Sequence, residues 1–166
     1  MLNQPLHAIK KSSLGPVIAQ SSQFISPLID EAFNHWHDHR GADHLPRLAH
    51  LVSEPPPDFW PHTIVLDIVD DDYLARYVGL KSAQTYGDVS DSYLSELPSP
   101  LKERVADLLD TCAGKQAPIY AFWPRSAVRG QPFIGVEVLC LPWSKSGDSL
   151  DHMTLVNVNA YGSAMI

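Results

Sequence analysis

Two cysteines, Cys112 and Cys140, are all that this chain of 166 residues offers for thiol chemistry, and no C-x-x-C pair joins them. A paired-thiol redox motif is therefore excluded. Cys112 falls on the apolar face of a predicted helix and Cys140 in a predicted strand, so both read as buried, reduced thiols of a cytoplasmic protein. Basic charge is also scarce: 12 Lys and Arg against 19 Asp and Glu give a formal net charge of −7. Nothing supplies the cationic patch that displaces counterions from a phosphate backbone, which argues against a nucleic-acid partner. No apolar run approaches the roughly 20 residues of a bilayer-crossing helix. The opening MLNQPLHAIKKSSLGPVIAQ has no continuous apolar core of a secretory signal. Gly-x-Ser-x-Gly, GxxxxGK and GxGxxG are all missing, and no cysteine sits at a helix start where its pKa would fall. Together these gaps point away from an enzyme, a membrane protein or a nucleotide-phosphate cradle.

What is present is an ordinary globular composition, 45% hydrophobic and 19% charged, in a length that suits one domain with a terminal extension. Residues 1–22 are polar and proline-interrupted and are expected to form a mobile or loosely docked arm. Residues 23–166 are expected to form a single domain. It opens on SPLIDEAFNHWHDHRG, a helix over 26–40 capped by Ser26, started by Pro27 and closed by Gly41. Ile29, Ala32, Phe33 and Trp36 form its apolar stripe. That stripe must lie on the chain's own sheet or on a partner, and Ile29, Phe33 and Trp36 are the candidates for a homodimer interface.

A proline-rich connector, LPRLAHLVSEPPPDFWPH, leads to HTIVLDIV, a strand bounded by Pro61 and the acidic run Asp70–Asp72. YLARYVG follows closely enough to pair back as a hairpin. Two scraps of helix come next, with Gly79 before LKSAQTYG and Gly87 at its end. SPLKERVADLLDTCAGK then gives a second amphipathic helix with Leu101, Val105, Leu108, Leu109 and Cys112 on one face, closed by Gly114. The last third changes period: APIYAFWPRSAV, PFIGVEVLCLPW and DHMTLVNVNAYG are strand candidates separated by RGQ and SKSGDS. The pattern is α+β, an antiparallel sheet with helices gathered on one side. Only YGSAMI follows the last strand, so no output domain is expected.

Several clusters invite a chemical reading. His35, His37, His39, His44 and His50 crowd one region, and His35 and His39 share a helix face. They read first as a polar helix flank beside Trp36, with a metal-dependent enzyme as the lesser alternative. Asp70, Asp71 and Asp72 read as a solvated turn. Arg76 either pairs with a carboxylate at the sheet edge or meets an anionic ligand. Asn157 and Asn159 share a strand face, read as the outer or subunit-facing one, with a ligand contact as the alternative.

FNHWHDHRG, IVLDIVDDD, ARYVGLKSAQTYGDVSDSYLSEL and GVEVLCLPWSKSGDSLDHMTLVNV, in this order, resemble a PAS domain, and more narrowly the small PAS-type family of alphaproteobacteria. The resemblance covers residues 33–160. It implies a five-stranded antiparallel sheet in the order 2-1-5-4-3, with short helices between strands 2 and 3 capping one face above a pocket. Arg76, Tyr77, Tyr86, Tyr93, Phe122 and Trp123 are the candidate pocket residues. The function expected is that of a sensory or regulatory module that binds a small molecule, a signalling protein or both, and acts by protein contact. PAS-like pockets hold haem, flavin, small organic acids or nothing. No histidine between Asp70 and Ala113 serves as a haem ligand, and LKSAQTYG has no cysteine for flavin photochemistry, so the cofactor is left unknown. In the alternative, Tyr77, Phe122 and Trp123 fill the pocket and the domain is a scaffold.

Overall fold

In a computed structural model, which describes residues 14–124 and 135–160, six strands form one antiparallel sheet. They are β1 (Leu14–Ile18), β2 (Thr63–Val69), β3 (Asp72–Val78), β4 (Ile119–Pro124), β5 (Gly135–Trp143) and β6 (His152–Ala160). Four α-helices accompany them among the described residues: α1 (Pro27–Arg40), α2 (Leu48–Ser53), α3 (Leu80–Tyr86) and α4 (Leu101–Lys115). The class is α+β. The turn expected at RGQ lies outside the described residues.

The sheet order is β1-β4-β5-β6-β2-β3, so the expected count of five strands is corrected to six. The added strand comes from the segment read as a mobile arm. Leu14–Ile18 pairs with β4 through a register shift between Leu14 and Val17. Pro16 lacks a ladder donor and is tolerated there because β1 is an edge strand. The remaining strands lie in the order β3-β2-β6-β5-β4.

Helices cover both faces of the sheet, not one. All of β5 is buried, and a strand buried on both sides needs a layer on each. On one face α4 sets Val105, Leu108, Leu109 and Cys112 against Ile119, Val138 and Cys140. On the other, α1 sets Ile29, Ala32 and Trp36 against Tyr120, Leu139, Leu141 and Trp143. Ser26 caps α1 by accepting from the Leu28 N–H at 3.2 Å, and the Trp36 indole donates to the Pro142 carbonyl at 2.6 Å. The stripe proposed as a dimer interface is thereby corrected: Ile29 is 0% and Trp36 2% exposed because the chain's own sheet covers them. Phe33 is half-buried and packs on the ring of Phe24 at 5.1 Å.

Helix α4 outruns its expected stop. Gly114 stays helical, and Gln116 supplies the left-handed residue at the end, with φ 51°. The glycines of the opening hairpin-to-helix passage differ in purpose. Gly87 ends α3 with φ 84°, a conformation side chains resist. Gly79 instead has φ −67° and is needed for approach, since a Cβ there would lie 2.1 Å from the Trp60 carbonyl oxygen.

Because the α1 stripe is internal, Ile29→Asp is expected to unfold the domain and not to split a dimer. A buried unpaired carboxylate should cost about 4 kcal/mol or more. Circular dichroism should show a lost or strongly lowered thermal transition; a folded variant of halved mass by light scattering would contradict this.

Candidate functional site

Strands β2, β3 and β6 are covered on their inner face mostly by elements shorter than α4. Val69 and Asp72 close the β2–β3 hairpin over two acidic residues, and Asp70 takes φ 55° at the turn. After β3 the chain turns at Gly79, forms α3, and returns through a 3-10 turn at Leu94–Glu96 before α4. Beneath this roof lies a cavity of about 40 Å³. Its floor is Ile64, Leu66, Ala75 and Leu155, its roof includes Tyr86, Val89, Tyr93 and Leu94, and Leu101 and Val105 of α4 close one side. The lining contains no lysine, arginine, histidine or carboxylate.

Hydrogen bonds hold the roof in place. Tyr86 donates its hydroxyl to Asn157 Oδ1 at 2.7 Å. Asn157 Nδ2 donates to the Leu155 carbonyl at 3.1 Å and to Ser82 Oγ at 3.4 Å. Asn159 Nδ2 meets Thr85 Oγ1 at 3.1 Å. Burial pushes the Tyr86 phenol far above its ordinary range, so it remains a donor throughout physiological pH. At the far end Asp72 accepts from the Ser95 hydroxyl at 2.6 Å, tying the 3-10 turn to the start of β3. Its carboxyl is lowered chiefly by that Ser95 bond.

Of the expected pocket residues, Tyr86 and Tyr93 line the cavity. The other four are corrected. Arg76 and Tyr77 are exposed on the opposite face, in a groove with Leu48, Val52, Trp60 and Val65. Strict alternation after Tyr73 and Ala75 would turn Tyr77 inward, but the β2–β3 register slips between Val65 and Leu66. Val78 takes the inner position, and the Tyr77 ring sits 5.4 Å from that of Trp60. Phe122 and Trp123 are neighbours on β4 and so face opposite sides, Phe122 in the α1 core and Trp123 in the α4 core. Neither lines the cavity.

Arg76 resolves to the structural pairing. Its Nε donates to Asp67 Oδ2 at 2.6 Å, and His152 Nδ1 lies 2.8 Å from Asp67 Oδ1. Burial alone would raise the Asp67 carboxyl, but Arg76 and His152 more than offset it and hold it below the usual carboxylate range.

Two histidines of the run spend a ring N–H on backbone carbonyls. His35 donates from Nε2 to the Glu54 carbonyl at 2.6 Å, and His39 Nδ1 donates to the His35 carbonyl at 2.9 Å. Their rings stack at 4.0 Å, and burial lowers the His35 pKa. Among the described residues no three His, Cys, Asp or Glu side chains gather as a metal-ligand set. Cys112 and Cys140 are buried and free. No helix of the described residues is long and apolar enough to cross a membrane.

Sequence reasoning also misplaced Asn157 and Asn159. They face the roof, not the outside, as do Met153 and Leu155 of the same strand face. That shared face with core residues was the available signal. Glu137, 1% exposed, was missed altogether. It accepts from the Tyr120 hydroxyl at 2.7 Å and from the Ile25 and Ser26 N–H groups at 2.6 and 2.9 Å.

No protein-family model, curated protein or solved structure matches the chain.

Two outcomes test this geometry. Tyr86→Phe leaves the buried Asn157 oxygen without its donor and should cost about 1–3 kcal/mol in urea unfolding, with faster amide exchange in α3. For Asp67, the folded pKa is depressed, so its contribution is complete above the unfolded value of about 4 and is lost as pH falls through the lower folded value. Asp67→Asn should therefore flatten the pH dependence of the thermal midpoint below about pH 4, where an unchanged slope would remove the ion pair's role.

Proposed function

We propose that this chain is a PAS-like sensory or regulatory domain, not an enzyme, whose occupied cavity alters a surface read by another protein. The observation that carries the reading is the apolar cavity beneath α3 and the 3-10 turn. Its setting supports the same view. Counted from β2, the five later strands follow the order 2-1-5-4-3, with β1 added beside β4. The cavity touches α3, the 3-10 turn and α4 at once, so a guest that shifts one must press on all. The partner contact is proposed for the groove of Val52, Trp60 and Tyr77, where Val52 is 63% and Tyr77 40% exposed. A second copy of this chain and a cytoplasmic signalling protein are the partners to test there. No cofactor is assigned.

The scaffold reading draws on one specific observation. About 40 Å³ is small beside the roughly 300–1,000 Å³ of drug-sized ligand sites, and Phe122 and Trp123 pack the two cores. Filling the cavity separates the readings. Val105→Phe and Ala75→Ile both add bulk at its wall, at about 1–3 kcal/mol where packing resists. Tagged wild-type and folded variants are used to capture proteins from a host lysate. A protein retained by the wild type and lost, or newly gained, with the filled forms is expected. Identical captured sets would overturn sensing and leave the scaffold.

A further inference from the structure

The geometry points to a neutral, saturated alkyl group of about three carbons as the guest of this cavity, at roughly 10–15 Å³ of cavity volume per water-sized group. The assignment rests on the regulatory reading only for its biological consequence; its chemistry follows from the walls. Ile64, Leu66, Leu94, Leu101, Val105 and Leu155 supply side-chain carbon in every direction. The Tyr86 hydroxyl and the backbone groups of Ser92 at the rim are engaged elsewhere. The Tyr86 hydroxyl is committed to Asn157 at 2.7 Å. The Ser92 carbonyl accepts from the Ala75 N–H at 3.0 Å, and the Ser92 N–H donates to the Val89 carbonyl at 3.1 Å.

A charged guest would find no group of opposite charge. Arg76, the cation on the adjoining strand, lies on the opposite face and is bound to Asp67 at 2.6 Å. A carboxylate entering the cavity would lose its hydration with no cation to offset it. An apolar guest loses no hydrogen bonds and gains the contact that the uncovered walls lack. The small volume excludes planar ring cofactors by size, independently of the missing haem and flavin ligands. The chemistry is thus that of a short alkane or of a terminal alkyl segment.

The test uses the full chain with labelled Leu, Val and Ile methyl groups, titrated with dissolved xenon and propane and, as the charged counterpart of equal chain length, propionate. Xenon and propane should shift the methyls of Val89, Leu94, Leu101, Val105 and Leu155 saturably and leave Leu139 and Leu141 unmoved. Propionate should bind the same site at least about tenfold more weakly. Ala75→Ile should abolish the shifts, and Val105→Phe serves if the first variant fails to fold. No saturable shift, an equal response to propionate, or shifts that persist in a folded filled variant would overturn the assignment. Guest binding with identical captured proteins would instead sink the regulatory reading and leave the chemistry standing. Altered capture without guest binding would do the reverse.

Discussion

Burial of β5 on both faces is the constraint from which the rest of the structure follows. With Val136, Val138 and Cys140 on one side and Leu139, Leu141 and Trp143 on the other, neither face can be left to water, and two helical layers are required. Glu137 interrupts this run, and its side chain falls where α1 begins. Burial pushes its carboxyl up while Tyr120 and the Ile25 and Ser26 N–H groups draw it back, with burial prevailing. Each donor left unpaired in that place would itself lose the hydration it had in the unfolded chain. The acid and the helix start therefore satisfy one another, and the strand that demands two layers also fixes where one of them begins.

The cavity is a consequence of unequal cover. A long helix packs its stripe continuously, as α4 does over β4 and β5, and leaves few gaps. Over β2, β3 and β6 the cover is α3, a loop and a single 3-10 turn, too short to present a continuous stripe. Polar pins take over from packing there: Asn157 and Asn159 hold α3 from β6, and Asp72 holds the 3-10 turn from β3. Directional bonds fix positions without filling volume. An apolar void bordered by a polar network is what remains.

How much of this was legible in the sequence depended on whether a feature was local. The α1 boundaries stood in Ser26, Pro27 and Gly41, and the hairpin in the β-branched run before Asp70. The apolar run GVEVLCLPW was visible too, yet it was read as one strand among three and not as a demand for a second helical layer. Strand β1 was invisible because LGPVI has no strand character of its own beyond Val17 and Ile18; it exists because β4 has an open edge to pair with. Tyr77 was misplaced by a register slip that no alternation pattern contains. Asn157 was misread because amides are usually exposed, and its partners, Ser82 and Tyr86, are some 70 residues distant. Non-local pairing, not weak propensity, set the limit.

The same strands that floor the cavity carry the opposite face, and this decides how a guest would be felt. On β2, Ile64 and Leu66 face the cavity while Val65 and Asp67 face away; on β3, Ala75 faces in while Arg76 and Tyr77 face out. A sheet side chain cannot move far without its backbone, because neighbours on both strands hold its register. Pressure on Ala75 is therefore passed to Arg76 and Tyr77, which are adjacent in the chain, and from Arg76 to Asp67 and His152 through bonds of 2.6 and 2.8 Å. Coupling requires an element with two arrangements, and the roof is the element here held to the sheet by polar pins. In the regulatory reading, the short helix α3 is the part that would move, and the exposed face of β2 and β3 is the surface on which its movement would register.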